Sequence, residues 1–423
     1  MKILILAYYF PPENNMAKMA SLRPYAWKKY WDAAGHQVYV VTSQKHGDTY
    51  DAHDNKVFTA KSCRHRMEAR HSQDVSILQN NIKASIRFAL RAVHKYAVCG
   101  TFLQVSIFWI LPAVKAALRL NKTVKFDLVV STYGPPANHI GAKLFSAKAQ
   151  VPWVADYRDL WHGNEVTRPP MLLLKLEDII ERRIVRHANF ITTVSEGLRE
   201  QLESRFNVPV IVSKNGFDTD DTPTANEFKW PEEKVYIIYT GTLYPRQTNP
   251  APLFEALSAL KKTKKLRSKS QLEVIFCGCN SNSLGKLAKN YSVEEYVTSA
   301  GFLPRQKVLA MQHSASALIF LDWTDPNSRG ILTGKIFEYL FSGKPVISIG
   351  GNHHSASNKL IRESGIGYVV GDSVDEIVDI IDTLLRGESL DYSPNPEILH
   401  QYTRKHLAET MINQIISQLY AEK

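Results

Sequence analysis

GKIFEYLFSGKPVIS, residues 334–348, reads as a helix that turns into a strand. Ile336, Phe337, Leu340 and Phe341 crowd into about one and a half helical turns, the density of a buried helix. KPVISIG then supplies the apolar, β-branched run of a strand. In the middle of the helix stands Glu338. An ionised carboxylate is costly to bury alone, so either a group outside the helix holds it or it stands at the rim of a cleft.

The same alternation runs along the whole chain. ILILAYYF, QVYVVTS, FDLVVST, VPWVADY, FITTVS and VPVIVSKNG are short strand-like runs separated by helical patterns, and VYIIYTGT, QLEVIFCG, SALIFLDW, KPVISIG and GYVVG form a second series. Strands alternating with helices predict parallel sheets. Between the two series lies the polar stretch DTDDTPTANEFKWPEEK, residues 218–234, which reads as a linker. With 423 residues and 44% hydrophobic content, the chain suits two domains with a crevice between them. The expected division is residues 1–215, residues 216–400 and a closing helix in 401–423, where Leu407, Met411, Ile415, Ile416 and Leu419 keep helical spacing. Each domain is expected to be doubly wound and Rossmann-like, with its ligand end at the carboxyl ends of the strands.

The start, MKILILAYYFPPE, has one lysine and an apolar run cut by Pro11 and Pro12, which reads as a buried strand and not as a signal peptide; a cytoplasmic protein is expected. Cys63, Cys99, Cys277 and Cys279 show no second pair in metal-ligand spacing and are expected to be free thiols, with no metal site. The net charge of +11 is local. Residues 56–125 carry 13 lysines and arginines against Glu68 and Asp74, and the rest of the chain balances at 39 of each sign. Such a patch calls for an anionic partner surface. Within it, residues 82–118 place Lys83, Arg87, Arg91 and Lys95 on one helical face, followed by an uncharged run from 97 to 114. That segment either lies on an anionic membrane surface or forms a surface helix followed by a core helix. No nucleic-acid-binding motif accompanies the patch, so no nucleic-acid partner is expected.

The run Lys335, Glu338, Tyr339, Leu340, Gly343, Lys344, Pro345, Val346 and Ile347 resembles the donor-binding segment of GT-B glycosyltransferases, in particular the retaining family-4 group. VYIIYTGTLYPRQTNPAPLFEAL, HANFITTVSEGLREQL, IVSKNGFD, VPWVADYRDLW and YYFPPE resemble other segments of that family, in order along both domains. The resemblance implies an α/β GT-B fold, with two Rossmann-like domains facing a central cleft and a C-terminal helix closing back. It also implies Glu338 as the ligand of a ribose diol. The residues themselves allow this, because the loop SRGILTG opens a helix whose first amide groups can cradle a pyrophosphate, with Glu338 about one turn further in. A glutamate paired with a nearby lysine or arginine is the structural alternative.

Around this helix the donor-binding candidates are Gly241, Arg246, Arg329, Gly330, Thr333, Gly334, Lys335 and Glu338. Gly241 permits close backbone approach. Arg246 and Lys335 are candidate catalytic groups that meet the departing diphosphate in place of a metal ion, with a solvent-facing turn arginine as the alternative for Arg246. Gly330 stands where the family often has a second glutamate, and Arg329 can reach toward the same place. In the first domain, Asp156 and His139 are candidate catalytic groups, and Asn14, Asn15, Arg158 and Asp159 lie on the acceptor side. Arg158 between two acids reads equally as the clamp of a loop, and His139 as a cap or surface residue.

The resemblance implies a sugar transfer from a nucleoside-diphosphate donor, UDP-linked in this branch, to a glycan or lipid-linked glycan, with retention and without a cofactor or metal. It further implies a hexose or an N-acetylhexosamine as the transferred sugar, and assembly of lipopolysaccharide O-antigen or capsule as the setting. The protein is then cytoplasmic, or peripheral at the inner face of the membrane. A GT-B-like nucleotide-sugar epimerase, or a non-catalytic binding partner, is the alternative, with a nucleic-acid-binding protein built on the basic patch ranked behind them.

Overall fold

The computed structural model describes residues 1–10, 19–43, 54–60, 105–163, 170–221, 228–231, 234–244, 247–279, 281–323, 332, 334–351 and 355–421. Asn14, Asn15, Arg246, Arg329, Gly330, Thr333, Cys63, Cys99 and the 82–104 part of the basic and apolar segment lie outside them. The chain divides into two compact units, Met1–Lys214 with Ala408–Lys423, and Asn215–Leu407.

The first unit alternates β1 (Lys2–Leu6), α1 (Met19–Ala33), β2 (Gln37–Ser43), β3 (Val57–Ala60), α2 (Ile110–Val124), β4 (Leu128–Thr132), α3 (Ala137–Ala149), β5 (Trp153–Tyr157), α4 (Met171–Val185), β6 (Phe190–Thr193), α5 (Glu196–Arg205) and β7 (Val210–Val212). Its seven strands pair in the order β3-β2-β1-β4-β5-β6-β7, and every pairing is parallel. Strands buried on both faces are mainly apolar, as in Ile3–Leu6 of β1 and Leu128–Val130 of β4, and the two polar residues of β4, Ser131 and Thr132, lie at its carboxyl end. One face is covered by α2 and α3 around Trp109, Phe145 and Trp153. The other is covered by α1, with Trp27 and Trp31 stacked 5.5 Å apart, and by the end of the chain.

The second unit alternates β8 (Val235–Thr240), α6 (Ala251–Lys262), β9 (Leu272–Cys277), α7 (Ser281–Asn290), β10 (Val297–Gly301), α8 (Arg305–Ser314), β11 (Ala317–Leu321), α9 (Gly334–Phe341), β12 (Val346–Ile349), α10 (Ala356–Ser364), β13 (Gly367–Gly371), α11 (Val374–Leu385) and α12 (Pro396–Gln401). Its six strands pair in parallel in the order β10-β9-β8-β11-β12-β13. The strand order reverses between β8 and β11, and in open parallel sheets that switch point is where ligands bind. The last helix, α13 (Arg404–Ala421), starts in the second unit and packs Ala408, Met411, Ile412 and Ile415 into the first, where the Trp31 Nε1–H donates to the Ala408 carbonyl at 2.7 Å.

The opening stretch folds as α9, turn and β12. Ile336, Phe337, Tyr339 and Leu340 are buried, each apolar side chain contributing about 1.5–3 kcal/mol by leaving water, while Phe341 is half-buried. Tyr339 can be buried because its hydroxyl is satisfied: it donates to the Ile319 carbonyl at 3.1 Å and accepts from the Thr240 N–H at 3.0 Å. Gly343 has φ +67°, which glycine adopts without strain, and so lets the chain reverse into β12.

Candidate functional site

The second unit gathers its polar side chains where β8, α8 and α9 meet. Lys335, in the first turn of α9, donates from Nζ to the Tyr239 hydroxyl at 2.6 Å and lies 4.4 Å from that ring's centroid. The Tyr239 hydroxyl in turn donates to the Thr242 carbonyl at 3.0 Å. Loss of solvation pushes the Lys335 ammonium down to about 8. Gly241, at the carboxyl end of β8 with φ +122°, has the Lys335 side chain directly over it, so that any Cβ would collide with the lysine stem. The close approach that this glycine permits is therefore made by Lys335. Gly278, with φ +86°, packs its backbone against that of Gly241, and the Cys279 thiol donates to the Gly241 carbonyl at 3.1 Å. Cys277 and Cys279 are free and buried.

Glu338 is held from outside its helix. Its Oε1 lies 3.3 Å from Nη2 of Arg305, the first residue of α8, and its Oε2 accepts from Gln312 Nε2 at 3.5 Å. The carboxylate is only partly covered, with 17% of the side chain exposed, so it has both a protein partner and an open side. Arg305 Nη2 also donates to Asp221 Oδ2 at 2.9 Å, and Arg404 Nη1 lies 3.7 Å from the same oxygen. Arg404 Nε donates to the Gly216 carbonyl at 3.1 Å, and burial pushes its guanidinium below its usual range. An ion-pair chain thus runs from Glu338 through Arg305 to Asp221 and Arg404.

In the first unit the structure corrects several expectations. Asp156 is fully buried at the end of β5, and its two oxygens are occupied by Arg23 at 2.8 Å, Thr192 Oγ1 at 2.8 Å and Thr132 Oγ1 at 2.8 Å. Arg158 pairs with its neighbour Asp159 at 2.9 Å, and Arg23 from α1 holds Asp156. An aspartate so engaged fixes the sheet rather than meeting a ligand. His139, in the first turn of α3, is neither a surface residue nor a cap. It is fully buried, with Nδ1 2.8 Å from Ser131 Oγ. Ser131 Oγ also accepts from Trp153 Nε1–H at 2.8 Å, and His139 Nε2 has no partner among the described residues. Burial pushes His139 down to about 3, which keeps it neutral. Among the sequence candidates, the structure brings together Gly241, Gly334, Lys335 and Glu338 in one place, and leaves Asp156, His139, Arg158 and Asp159 in the other unit.

Two family models match the chain in succession: a glycosyl transferase 4-like domain over residues 25–216 and glycosyl transferases group 1 over residues 220–406. The chain belongs to the family-4-like glycosyltransferases. No curated protein is significantly similar to this glycosyltransferase in sequence. Among solved structures, sucrose-phosphate synthase from Thermosynechococcus elongatus is similar to it with a TM-score of 0.61 at 14% identity, covering 100% of both chains. An alpha,alpha-trehalose 6-phosphate synthase from Burkholderia multivorans gives 0.60 at 10% identity over 100% of this chain and 99% of that one. The HepE protein of Anabaena, in complex with UDP-glucose, gives 0.50 at 14% identity over 100% of both chains. At such identities the likeness is one of fold, and the fold is GT-B.

The glycosyltransferase holds three site residues that the sequence did not point to: Arg305, Gln312 and Asp221. Gln312 is fully buried and anchored by Nε2 donating to Thr240 Oγ1 at 3.0 Å. A glutamine inside the pattern of a packed helix was the available signal.

Proposed function

We propose that this glycosyltransferase moves a sugar from a UDP-linked donor, held by the second unit, to a lipid-linked saccharide, with retention, in the assembly of a cell-surface polysaccharide. The observation that carries the proposal is the placing of Glu338 one turn into α9, beside a switch point that already holds the Lys335 cation. A half-open carboxylate suits the two hydroxyls of a ribose, and a cation beside a helix start suits the adjoining diphosphate. The family membership and the UDP-glucose bound by HepE support the choice of donor.

In the reaction, the bond from the anomeric carbon to the diphosphate oxygen breaks and a bond to the acceptor oxygen forms. Negative charge grows on the diphosphate as it leaves, and Lys335 meets it, together with Arg246 in the sequence reading. With the acceptor on the leaving group's face, the acceptor proton passes to a diphosphate oxygen, so no protein carboxylate is needed as a base. The transferred group is a hexose or N-acetylhexosamine, and release of UDP with a sugar-bearing product tests the proposal. An isomerised nucleotide sugar without transfer would support an epimerase instead.

Lys335 gives the donor site a pH dependence. Its pKa in the free protein lies at about 8, below that of an ordinary lysine, so the ammonium is present below that pH and lost above it. A bound diphosphate favours the charged form, so affinity is complete below about 8 and falls as pH rises past it. UDP affinity is expected to fall about tenfold between about pH 7 and pH 9, as one lysine proton is drawn from solution on binding. Lys335→Met is expected to bind more weakly and to show a flat profile. A wild-type profile as flat as the variant's would remove Lys335 from the diphosphate site.

The lipid acceptor rests on the first unit's surface. Helices return from the carboxyl ends of parallel strands, so the starts of α2 and α4 lie at that end of the sheet. There Phe108, Leu111, Met171 and Leu172 are exposed, Leu172 at 83%. Further along the same helices Lys115, Arg119, Lys122, Lys175, Arg182, Arg183 and Arg186 are exposed. Apolar tips backed by cations suit the surface of an anionic bilayer. Among the described residues no helix is long and apolar enough to cross a membrane, so the proposed contact is peripheral. In flotation with anionic vesicles the wild type is expected to rise with the lipid, and a variant with Lys83, Arg87, Arg91 and Lys95 neutralised to rise less. Equal binding by the two removes the basis for placing residues 82–118 on the membrane.

A further inference from the structure

Arg305 and Gln312 stand seven residues apart on α8, about two turns along one face, and both reach the Glu338 carboxylate. Each has its own anchor. Arg305 is fixed by Asp221 Oδ2 at 2.9 Å, from the segment that enters the second unit, and Gln312 by Thr240 Oγ1 at 3.0 Å, at the end of β8. The Thr240 hydroxyl is itself 3.2 Å from the Tyr339 hydroxyl on α9, so the network closes on the helix that carries Glu338. Gln312 is fully buried and its Oε1 has no partner among the described residues, so its amide is committed to this arrangement and not to solvent.

A carboxylate offers about four acceptor positions, two on each oxygen. Arg305 pairs with Oε1 and Gln312 donates to Oε2, which leaves acceptor capacity on each oxygen. Two parallel acceptors at the spacing of a carboxylate match two vicinal hydroxyl donors. A glutamate on a free helix surface would turn about its side-chain torsions and lose that match, at an entropic cost on binding. We infer that Arg305 and Gln312 are positioning residues that fix the plane of the Glu338 carboxylate, and so set the donor site's preference for a ribose over a deoxyribose. This inference rests on the proposal that Glu338 is the ribose ligand, and it adds the device by which the carboxylate tells one sugar from the other.

The test is calorimetric binding of UDP and of 2′-deoxy-UDP to the full chain. The wild type is expected to prefer UDP by about tenfold, the worth of one hydrogen bond to a charged group. Arg305→Ala is expected to bring the ratio close to one while 2′-deoxy-UDP affinity changes little, and Arg305→Lys, which keeps a cation of similar reach, to recover part of the preference. Asp221→Asn, which weakens the anchor without touching Glu338, is expected to fall between the wild type and Arg305→Ala. If Arg305→Ala weakens both ligands equally, or leaves the ratio at its wild-type value, the positioning role is overturned and Arg305 is only structural. Should Arg305→Ala fail to fold, the ratios of Arg305→Lys and Asp221→Asn decide: unchanged ratios in both overturn the inference. A wild type that binds both nucleotides equally overturns the ribose role of Glu338 itself, and is told apart from the other failures because it shows before any substitution is made.

Discussion

Glu338→Ala is expected to weaken UDP binding by about a hundredfold while leaving the thermal midpoint nearly unchanged. Two hydrogen bonds from hydroxyls to a carboxylate are worth about 1.5 kcal/mol or more each, and about 1.4 kcal/mol is a factor of ten. Stability is spared for two reasons. The carboxylate is partly exposed, and its ion-pair partner Arg305 keeps Asp221 at 2.9 Å. Alanine is also the best helix former for the vacated position in α9. Calorimetry with a parallel unfolding scan checks both halves of the expectation, and an affinity within about twofold of wild type in the folded variant would remove Glu338 from the donor site.

Arg23→Ala is expected to destabilise the first unit by about 3–5 kcal/mol, since it strands the Asp156 carboxylate inside the sheet with only hydroxyl partners. Both side chains are almost wholly buried, and Arg23 Nη1 also donates to the Lys214 carbonyl at 3.1 Å, at the last residue of the unit's first segment. Denaturant unfolding followed by tryptophan fluorescence would report it, because Arg23 lies 5.0 Å from the Trp27 ring centroid. Asp156→Asn in the Arg23→Ala background is expected to restore part of the loss by removing the unpaired charge. Equal stability of Arg23→Ala and wild type would mean that the arginine does not hold the Asp156 carboxylate in place.

Interior strands were legible in the sequence because burial on both faces leaves a continuous apolar run, as in ILILAYYF and SALIFLDW. VFTA of β3 and VTSAG of β10 were not read as strands. Both lie at sheet edges and are half-buried, so neither needs a run of apolar residues. The helix that carries Glu338 was legible for the same reason as the interior strands, from its density of large apolar side chains. Its partner was not. Arg305 lies in AGFLPRQ, a stretch without period or motif, and its approach to Glu338 depends on how α8 and α9 pack across the sheet. In the same way Arg158 stands only two residues from Asp156 in sequence, yet it pairs with Asp159. In a strand, however, residues two apart share a face only while the strand lasts, and β5 ends at Tyr157. Arg23 reaches Asp156 from 133 residues away in sequence. Pairings of this kind are a property of the packed fold.

Isothermal titration of the wild-type full chain with UDP and, beside it, uridine is the most direct measure of whether the second unit holds a nucleoside diphosphate between Glu338 and Lys335. Saturable UDP binding at least about tenfold tighter than uridine is the expected result, since the cation and the helix start act on the diphosphate alone. No heat and no thermal stabilisation with UDP, or with ADP, GDP, CDP and TDP in its place, would contradict it.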